Sequence, residues 1–562
     1  MSRIHLLTPT IVNKIAAGEV IERPASVVKE LVENSIDADS TRIEVGLVEA
    51  GKTLIRVVDN GVGMGPEDLS MVFLKHATSK INSLEDLEGI ATMGFRGEAL
   101  ASIGAVSQAR IVSCARGSAA GAEIEVGGGN RKELKYVGAP EGTQVEVREL
   151  FYNVPARRKF LKATPTEMVH ISEVLTRIAM SHPEIHFLLV HNDREVFNLP
   201  SASGLRDRIG SFFGEDLARD LIPLNSKESR LEVAGYALPP AYCRNNTRMQ
   251  FIFLNGRSVR DSNLTHAINE AYRNLLSPGR FPFVFLSLRV DPGYVDVNVH
   301  PTKMEVRFRE PAQVHAQVLQ ALRKALNQFM PSFSALPKDV PRPVPQGGVA
   351  FGEAVSRPSV STFVPKEQQR PSIEQRPFLQ LHGYYIVEET PGGINIIDQH
   401  ALHEAMLYQE IQKTIQERAL PSQRLLIPEL LELSPEDFFT LIKLKPLLDK
   451  LGLEVEEFGR NSIIVRAVPQ VLKDLEAKEF VSGLLENVHE GELNDHILDG
   501  MIKVMACKGA IKSGRRLTPY EVHALLEKRE ETARPTHCPH GRPTTLFFSL
   551  EELDKQFKRR GK

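Results

Sequence analysis

The 562 residues are 42% hydrophobic and 25% charged, a balance that is typical of soluble globular proteins and sufficient for two to four domains. The formal net charge of −2 excludes a general electrostatic attraction to nucleic acid, so such binding must come from local basic clusters. No apolar run reaches the roughly 18 residues of a membrane-spanning helix. Because the first 20 residues also lack a signal-peptide pattern, we expect a cytoplasmic protein without membrane contact.

The first predicted elements are a helix and several strands. Residues 24–38 have helical periodicity with Pro24 in the first turn, and residues 42–61 indicate two strands around a Gly turn. The segments SQARIVSCAR, AEIEVGG and GTQVEVREL continue the strand pattern. A second α+β unit begins near residue 205, with strands in MQFIFLNGRSV and FPFVFLSLRV and a helix near VHAQVLQALRKALNQF.

One stretch is predicted to be a flexible linker. Residues 331–377 hold nine of the 35 prolines and few long apolar residues, so they cannot bury enough surface to offset the entropy of ordering. The linker separates residues 1–330 from residues 378–562. The second part is also α+β, and its strand-like run INIIDQH leads into a predicted helix.

Three polar and glycine-containing segments in the first part indicate a nucleotide site. The helix carries Glu30, Asn34 and Asp37 on one face, which alone would also fit an ordinary solvated face. A second segment, DNGVGM, places an acidic residue at a strand end before two glycines, and a third, GFRGEALASI, places two glycines before a helix. Such glycines let backbone N–H groups approach phosphates. The three segments in this order favour the nucleotide reading.

These segments resemble the motifs of the MutL DNA mismatch repair proteins, which belong to the GHKL ATPases alongside Hsp90, type II topoisomerase subunits and histidine kinases. The similarity extends through HATSKI, GTQVEVRELFYNVPARRKFL, FLNGRSV and VDVNVHPTKMEVRF. The resemblance implies an α+β multidomain fold. Its expected parts are a GHKL (Bergerat) ATPase sandwich at 1–204, a ribosomal-S5-like transducer domain at 205–330, the Pro-rich linker at 331–377, and an α+β C-terminal dimerisation and endonuclease-type domain at 378–562.

The resemblance also implies roles for matching residues. Glu30 would be the general base for the attacking water, and Lys303 would reach the γ-phosphate. Asn34 would ligate Mg²⁺, and Asp59 would accept a hydrogen bond from the adenine amine. The remaining implied ATP-binding positions are Gly61, Gly63, Thr78, Ser79, Lys80, Gly94, Arg96, Gly97, Leu100 and Thr143. The implied cofactors are ATP and Mg²⁺, and ATP binding would close two N-terminal domains on each other.

The segment DQHALHEAMLYQE indicates either a metal site or an ordinary polar helix start. It resembles the endonuclease motif that some MutL proteins carry, with Asp398, His400 and Glu404 at matching positions. MACKGAIKSG and HCPHGRP resemble further parts of that site and supply Cys507, Cys538 and His540, a ligand set that suits Zn²⁺ and/or Mn²⁺. One position departs from the motif, because Gln409 stands where the family has a glutamate.

Partners are implied by further short segments. QRLLIPELLEL resembles the sequence with which such proteins bind the replication sliding clamp, through Gln423, Leu426, Ile427 and Pro428, although an edge strand would have similar residues. The segments PARRKF, KGAIKSGRR and KQFKRRGK could contact DNA phosphates without sequence specificity, or could be solvated charge runs. The resemblance also implies a homodimer, a role with MutS, and a nucleoid-associated location in the cytoplasm.

The sequence therefore predicts a mismatch repair ATPase with metal-dependent DNA nicking. The first alternative is a nuclease-inactive relative that acts only as an ATP-dependent matchmaker with a structural zinc site, which Gln409 favours. The second is another GHKL machine, which HATSKI opposes. The third is a nucleotide-binding scaffold without turnover, which Glu30 opposes.

Overall fold

The computed structural model describes residues 18, 21–80, 93, 97–228, 230–277, 279–296, 306–329, 377–472, 476–487, 495–531 and 536–559. The chain divides into two compact units. The first unit comprises residues 1–329 and 413–508, and the second comprises residues 330–412 and 509–562. Apart from Pro377, the predicted linker lies outside the described residues, so the domain boundaries stay a prediction.

A mixed sheet of nine described strands begins the first unit. The strands are β1 (Arg42–Val48), β2 (Leu54–Asp59), β3 (Gln108–Cys114), β4 (Gly121–Gly127), β5 (Asn130–Arg131), β6 (Lys135–Val137), β7 (Gly142–Arg148), β8 (His186–His191) and β9 (Arg194–Leu199). Their order is β5-β4-β3-β7-β2-β1-β8-β9, with β6 paired to β4. Only β1 and β8 are parallel among these pairs. The strands predicted from the sequence are confirmed.

Among the described residues of this region, the α-helices are α1 (Pro24–Asp37), α2 (Pro66–Met71), α3 (Ala99–Val106), α4 (Pro155–Phe160) and α5 (Thr164–Ser181). As predicted, α1 has Pro24 in its first turn. It buries Val28, Leu31 and Val32 and lies against β2 and α5. The 3.6-residue period then leaves Glu30 half-buried on a different face. Burial of the apolar face of α1 therefore fixes the direction in which its polar side chains point.

A second sheet follows in the first unit. The next elements are α6 (Leu205–Phe213), α7 (Glu215–Arg219), β10 (Ile222–Glu228), β11 (Leu231–Ala237), β12 (Gln250–Leu254), β13 (Arg257–Ser258), α8 (Ser262–Ala271), β14 (Val284–Val290), β15 (Val295–Asp296), β16 (Arg307–Phe308) and α9 (Pro311–Phe329). The sheet order is β10-β11-β14-β12-β13. Strands β12 and β14 are parallel, and α8 lies in the connection between them. Helix α9 packs against α8, β10 and β11.

The rest of the chain is also α+β. Its elements are β17 (Phe378–Leu381), β18 (Tyr385–Thr390), β19 (Gly393–Asp398), α10 (Gln399–Glu417), β20 (Ser422–Glu432), α11 (Pro435–Lys450), β21 (Glu454–Phe458), β22 (Ser462–Pro469), α12 (Ala477–Asn487), α13 (Asp495–Gly509), α14 (Pro519–Glu531), β23 (Thr545–Ser549) and α15 (Leu550–Gln556). The predicted strand and helix around Asp398 are confirmed.

Two antiparallel sheets organise these elements. In the first unit, the sheet order is β20-β22-β21, and in the second unit it is β17-β18-β19-β23. One face of the latter sheet is buried, because Ile386 and Ile397 pack with Leu402 of α10 and Val522 of α14. No helix in the described part of the chain combines the length and the apolar character needed to cross a membrane.

Candidate functional site

The polar face of α1 is joined to the segment containing residues 76–80. The ammonium of Lys80 donates hydrogen bonds to Asn34 Oδ1 at 2.8 Å and to Asp37 Oδ2 at 2.6 Å. The backbone N–H of Lys80 donates to Thr78 Oγ1 at 3.2 Å, which holds the turn that presents the lysine. Asn34 and Asp37, which are one helical turn apart, thus both accept hydrogen bonds from the ammonium of Lys80. The structure therefore brings Asn34 and Lys80 together.

Asp59 lies at the end of β2, where its carboxylate is fixed from two sides. The hydroxyl of Ser35, on α1, donates to Oδ2 at 2.8 Å, and the N–H of Gly61 donates to Oδ1 at 2.9 Å. Burial raises the pKa of Asp59, although these hydrogen bonds act in the opposite direction. Thr143 is directly opposite Asp59 in the pairing of β2 with β7, and its hydroxyl lies 2.9 Å from that of Ser113.

Backbone crowding explains the glycines of this site. Gly63 has φ +66°, and a Cβ there would lie 2.0 Å from the carbonyl oxygen of Cys114. At Gly61, a Cβ would lie 2.5 Å from the carbonyl oxygen of Ala38. Gly97 has φ +63°, and a Cβ would lie 2.5 Å from the carbonyl oxygen of Ala77. Only glycine fits these close approaches without displacing backbone.

The Gly97 turn also contacts the lysine-bearing segment directly. The N–H of His76 donates to the carbonyl of Gly97 at 3.1 Å, so the turn before α3 and residues 76–80 are adjacent. Leu100, in α3, is half-buried. Three predicted site residues, Gly94, Arg96 and Lys303, lie outside the described residues.

Arg257 is a residue of this site that the sequence argument missed. It lies in β13, and burial lowers its pKa while the carboxylates of Glu33, Asp37 and Glu30 act to raise it. A cation from the second sheet therefore faces the acidic side of α1. The available signal was the arginine of the FLNGRSV segment, whose charge complements the acidic helix face.

The second candidate site is built by α10 and a tight turn. The N–H of Cys538 donates to the carbonyl of Arg542 at 2.8 Å, and Gly541 supplies a φ of +79° that closes the turn. Cys538 packs against the small side chains of Ala401 and Ala405, which are one helical turn apart on α10. These alanines allow the turn to approach the helix closely, beside Glu404.

Glu404, Cys538 and His540 bring their ligand atoms within 4.8 Å of one another. Glu404 is buried, and its Oε1 lies 2.9 Å from His540 Nδ1, without forming a hydrogen bond with adequate geometry. Burial raises the pKa of the Cys538 thiol, and the Glu404 carboxylate adds to this effect. A carboxylate, a thiol and an imidazole that converge in this way fit a divalent cation of the zinc type.

The other predicted ligands have different contacts. Asp398 Oδ1 accepts hydrogen bonds from the N–H groups of His400 and Ala401, both at 3.0 Å, and so caps the first turn of α10. His400 Nδ1 lies 2.8 Å from the carbonyl of Ile511, so it carries the proton and Nε2 is the ring's lone-pair nitrogen. Cys507 is exposed and belongs to the first compact unit.

His403 and Gln409 lie within the DQHALHEAMLYQE segment and were not assigned as metal ligands. His403 Nδ1 accepts a hydrogen bond from the N–H of Ile511 at 3.0 Å, and burial lowers its pKa to about 4. Gln409 is half-buried, whereas Glu410 is exposed and pairs with Lys528 at 2.6 Å. Glu410 therefore does not take the position of the glutamate that the motif lacks.

An exposed apolar stripe crosses the sheet of the second unit. Leu379, Val387, Ile396 and Leu546 are directly opposite one another on consecutive strands, so their side chains share one face. Leu379 and Leu546 are more than half exposed. This face is opposite the one that contacts α10 and α14.

Three family models match the chain. The histidine kinase-, DNA gyrase B- and HSP90-like ATPase model matches residues 21–150, and the C-terminal domain of DNA mismatch repair protein matches residues 209–327. The MutL C terminal dimerisation domain matches residues 378–517. Among solved structures, the Aquifex aeolicus MutL ATPase domain complexed with ADP is 31% identical, with a TM-score of 0.38, over 53% of this chain and 98% of that one.

Curated relatives match over the whole length. DNA mismatch repair protein MutL of Rhizobium rhizogenes is 38% identical over 99% of this chain and 100% of its own. The proteins of the same name from Methanoculleus marisnigri and Coxiella burnetii (strain CbuG_Q212) are 39% and 38% identical, each over 100% of both chains. The fold and the matched domains define a GHKL-type, ATP-binding ATPase with a dimerisation domain. The chain belongs to the MutL family of DNA mismatch repair proteins.

The crowding at Gly63 gives a stability prediction. Gly63→Ala should lower the free energy of unfolding by about 2 kcal/mol or more, because the new Cβ meets a backbone carbonyl and φ is positive. Gly65→Ala is the matched control, since Gly65 has φ −74° and nothing lies within 4 Å of its Cβ position. It should change the value by less than about 0.5 kcal/mol. Urea unfolding followed by circular dichroism measures both, and equal effects would contradict the geometry.

Proposed function

We propose that the chain is an ATP-dependent switch that couples mismatch recognition by MutS to strand removal, and that its C-terminal domain nicks DNA with a bound metal. Helix α1 carries Glu30 and Asn34, and its Ser35 donates a hydrogen bond to Asp59, which also accepts one from the Gly61 turn; these contacts support the switch. The convergence of Glu404 with Cys538 and His540 supports the metal-dependent step.

In the proposed ATP site, Glu30 is the general base and Asn34 contributes its side-chain oxygen to Mg²⁺. A carboxylate at Asp59 with both oxygens held by hydrogen bonds is preorganised to accept from the adenine amine. Bound Mg²⁺ would supply charge neutralisation at the phosphates. The same Asn34 oxygen accepts from Lys80, so we infer that the lysine leaves it when Mg²⁺ and ATP bind.

This exchange would link the position of residues 76–80 to nucleotide occupancy. Lys80 carries two charge-assisted hydrogen bonds to α1, and released Lys80 would be available to the phosphates. Gly61, Gly63, Gly97 and Thr143 shape the base and phosphate ends of the site. Gly94, Arg96, Thr78, Ser79, Leu100 and Lys303 complete the proposed ATP-binding set.

Substitution of Glu30 tests the base assignment. Glu30→Ala should lower the ATPase turnover number by about 10²-fold or more, since general bases contribute that much, while ATP affinity stays close to that of the wild type. Phosphate release and equilibrium nucleotide binding measure the two quantities. Glu22→Ala, which removes an exposed carboxylate just before α1, is the control. Unchanged turnover in Glu30→Ala would contradict the assignment.

In the proposed nuclease site, Glu404, Cys538 and His540 hold Zn²⁺ or Mn²⁺, and Asp398 and His400 contribute to a catalytic metal position. The ligand role that the family resemblance implies for Cys507 stays a prediction. Such ions polarise a phosphodiester and lower the pKa of bound water. Asp398 already caps α10 through one carboxylate oxygen, so its second oxygen is the one proposed to face the metal. His400 presents Nε2 because its Nδ1 proton faces the Ile511 carbonyl.

The cap makes Asp398→Asn a clean test of nicking, because asparagine caps helices about as well as aspartate. The wild type should convert supercoiled circular DNA to the nicked form with Mn²⁺, and Asp398→Asn should lose this activity while α10 stays folded. Glu410→Gln, at the exposed position beside Gln409, should nick like the wild type.

The alternative function is a nuclease-inactive matchmaker with a structural zinc site. Failure of the wild type to nick, with activity appearing in Gln409→Glu, would mean that the site lacks one ligand. Failure of the wild type and of Gln409→Glu would favour the matchmaker. Retained activity in Asp398→Asn would assign the nicking elsewhere.

We propose that the apolar stripe formed by Leu379, Val387, Ile396 and Leu546 pairs with a second copy of the chain. The matched dimerisation domain supports a homodimer, and the stripe is a contiguous apolar surface that a second copy would remove from water.

We also propose that α4 contacts DNA phosphates without sequence specificity. Helix α4 exposes Arg158 and Lys159 beside exposed Phe160, which supports this contact.

We further propose that Gln423, Leu426, Ile427 and Pro428 bind the sliding clamp. In β20 the pairing with β22 is interrupted between Arg424 and Glu429, so the residues between them protrude from the ladder. Leu426 is 100% exposed and Ile427 is 78% exposed. An apolar pair presented in this way would be buried by a partner rather than by the domain core.

Clamp binding can be measured by calorimetry with the clamp of the same organism. Leu426→Ala combined with Ile427→Ala should weaken binding by at least about tenfold, because two buried apolar side chains contribute more than 1.4 kcal/mol. Leu430→Ala is the control, since Leu430 is 53% exposed in the same strand but remains in the ladder opposite Ile464. Equal affinities of the double variant and the wild type would refute the proposal.

A further inference from the structure

A second group of metal-ligand side chains lies between α8 and α9, which pack against each other in the first compact unit. His266 and Glu270 are one helical turn apart on α8, so they point from the same face. His315 is in the first two turns of α9 and faces them. Two helices thus place two imidazoles and one carboxylate together at their contact.

The three ligand atoms form a triangle with one short side and two longer sides. His266 Nδ1 and His315 Nε2 are 3.0 Å apart, and Glu270 Oε2 lies 3.9 Å from the former and 3.7 Å from the latter. The point in the plane of the three atoms that is equidistant from them lies about 2.1 Å from each, which is the shortest distance that an ion could have to all three at once. Zinc–imidazole and zinc–carboxylate bonds are about 2.0–2.2 Å long. The triangle therefore has the size of a transition-metal site.

We propose that His266, Glu270 and His315 bind one transition-metal ion, with Zn²⁺ as the best match. Imidazole nitrogen and carboxylate oxygen suit Zn²⁺ and its neighbours Co²⁺, Ni²⁺ and Cu²⁺, whereas Mg²⁺ prefers oxygen ligands. The site shares no residue with the Glu404, Cys538 and His540 group.

The carboxylate of the proposed site is held in position by a neighbour. Arg323, two helical turns after His315 on α9, donates to Glu270 Oε1 at 3.2 Å. Oε1 is thereby engaged, and Oε2 is left facing the two histidines. Contacts of this kind orient metal-binding carboxylates in other metal sites. Without an ion, one of the two imidazoles donates a hydrogen bond to the other across the 3.0 Å separation.

Solvent can reach the proposed ion. The His266 side chain is 62% exposed, while those of His315 and Glu270 are 19% and 25% exposed. A cavity of about 290 Å³, lined in part by His266, Glu270 and Arg273, adjoins the cluster. Three protein ligands and an accessible side leave a fourth position for water, so the ion would be exchangeable. It would also link α8 to α9 and stabilise their packing against the second sheet.

The proposal is tested by equilibrium dialysis, which measures how many Zn²⁺ ions the tag-free full-length protein binds. His266→Gln, Glu270→Gln and His315→Gln should each bind one equivalent less Zn²⁺ than the wild type. His186→Gln is the matched control, because it removes a half-buried imidazole that hydrogen-bonds with Asn198 and lies in neither ligand group of the described residues. The same loss should occur in a Cys538→Ala background, which separates this site from the thiol-containing one.

Cobalt spectroscopy identifies the ligands. In the Cys538→Ala background, the Co²⁺ spectrum minus that of the same protein with His266→Gln should contain visible d–d bands without thiolate charge transfer. Because His266 is largely exposed, its substitution leaves the fold intact even where a change at His315 perturbs the helix contact. Unchanged zinc stoichiometry and cobalt spectra in His266→Gln and Glu270→Gln would overturn the proposal and leave only a hydrogen-bonded pair of imidazoles.

Discussion

Helix α1 has to meet two different environments at once, and the rest of the ATPase region depends on this constraint. Its apolar side, with Val28 and Leu31, must be buried. The helical period then fixes the direction of Glu30 and Asn34. Lys80, Asp59 and Arg257 reach this helix from a loop, a strand end and the second sheet, and each contact is electrostatic or a hydrogen bond. A rotation of α1 would break all of them together, so packing and chemistry are coupled.

The same relation holds at α10, where small residues decide what can approach. Ala401 and Ala405 have small side chains on the same face of the helix, and the turn that carries Cys538 packs against this face. Larger side chains there would keep the thiol away from Glu404. Asp398 has a structural contribution as a helix cap that is present whether or not it also binds a metal. The endonuclease proposal therefore depends on the second carboxylate oxygen of Asp398 and on Gln409. The Asp398→Asn substitution separates the two roles of Asp398, because it keeps the helix cap and removes the carboxylate.

Much of the fold and of the candidate site followed from local sequence. The strands alternate clearly, and the glycine segments require positive φ or close backbone approach. Arg257 and the pair of helices that carries His266 and His315 were not recognised. These residues are far apart in sequence, and a lone histidine or arginine on a helix or strand is ordinarily a surface residue.

The sequence by itself determined the family, the ATPase class and the order of the elements, because short motifs have fixed spacings and periodicity sets which face of an element is buried. The tertiary structure alone decided which side chains from distant segments meet. It placed Lys80 on Asn34, His540 beside Glu404, and His266 beside His315. Such distances arise from the packing of whole helices and sheets, and no spacing along the chain encodes them directly.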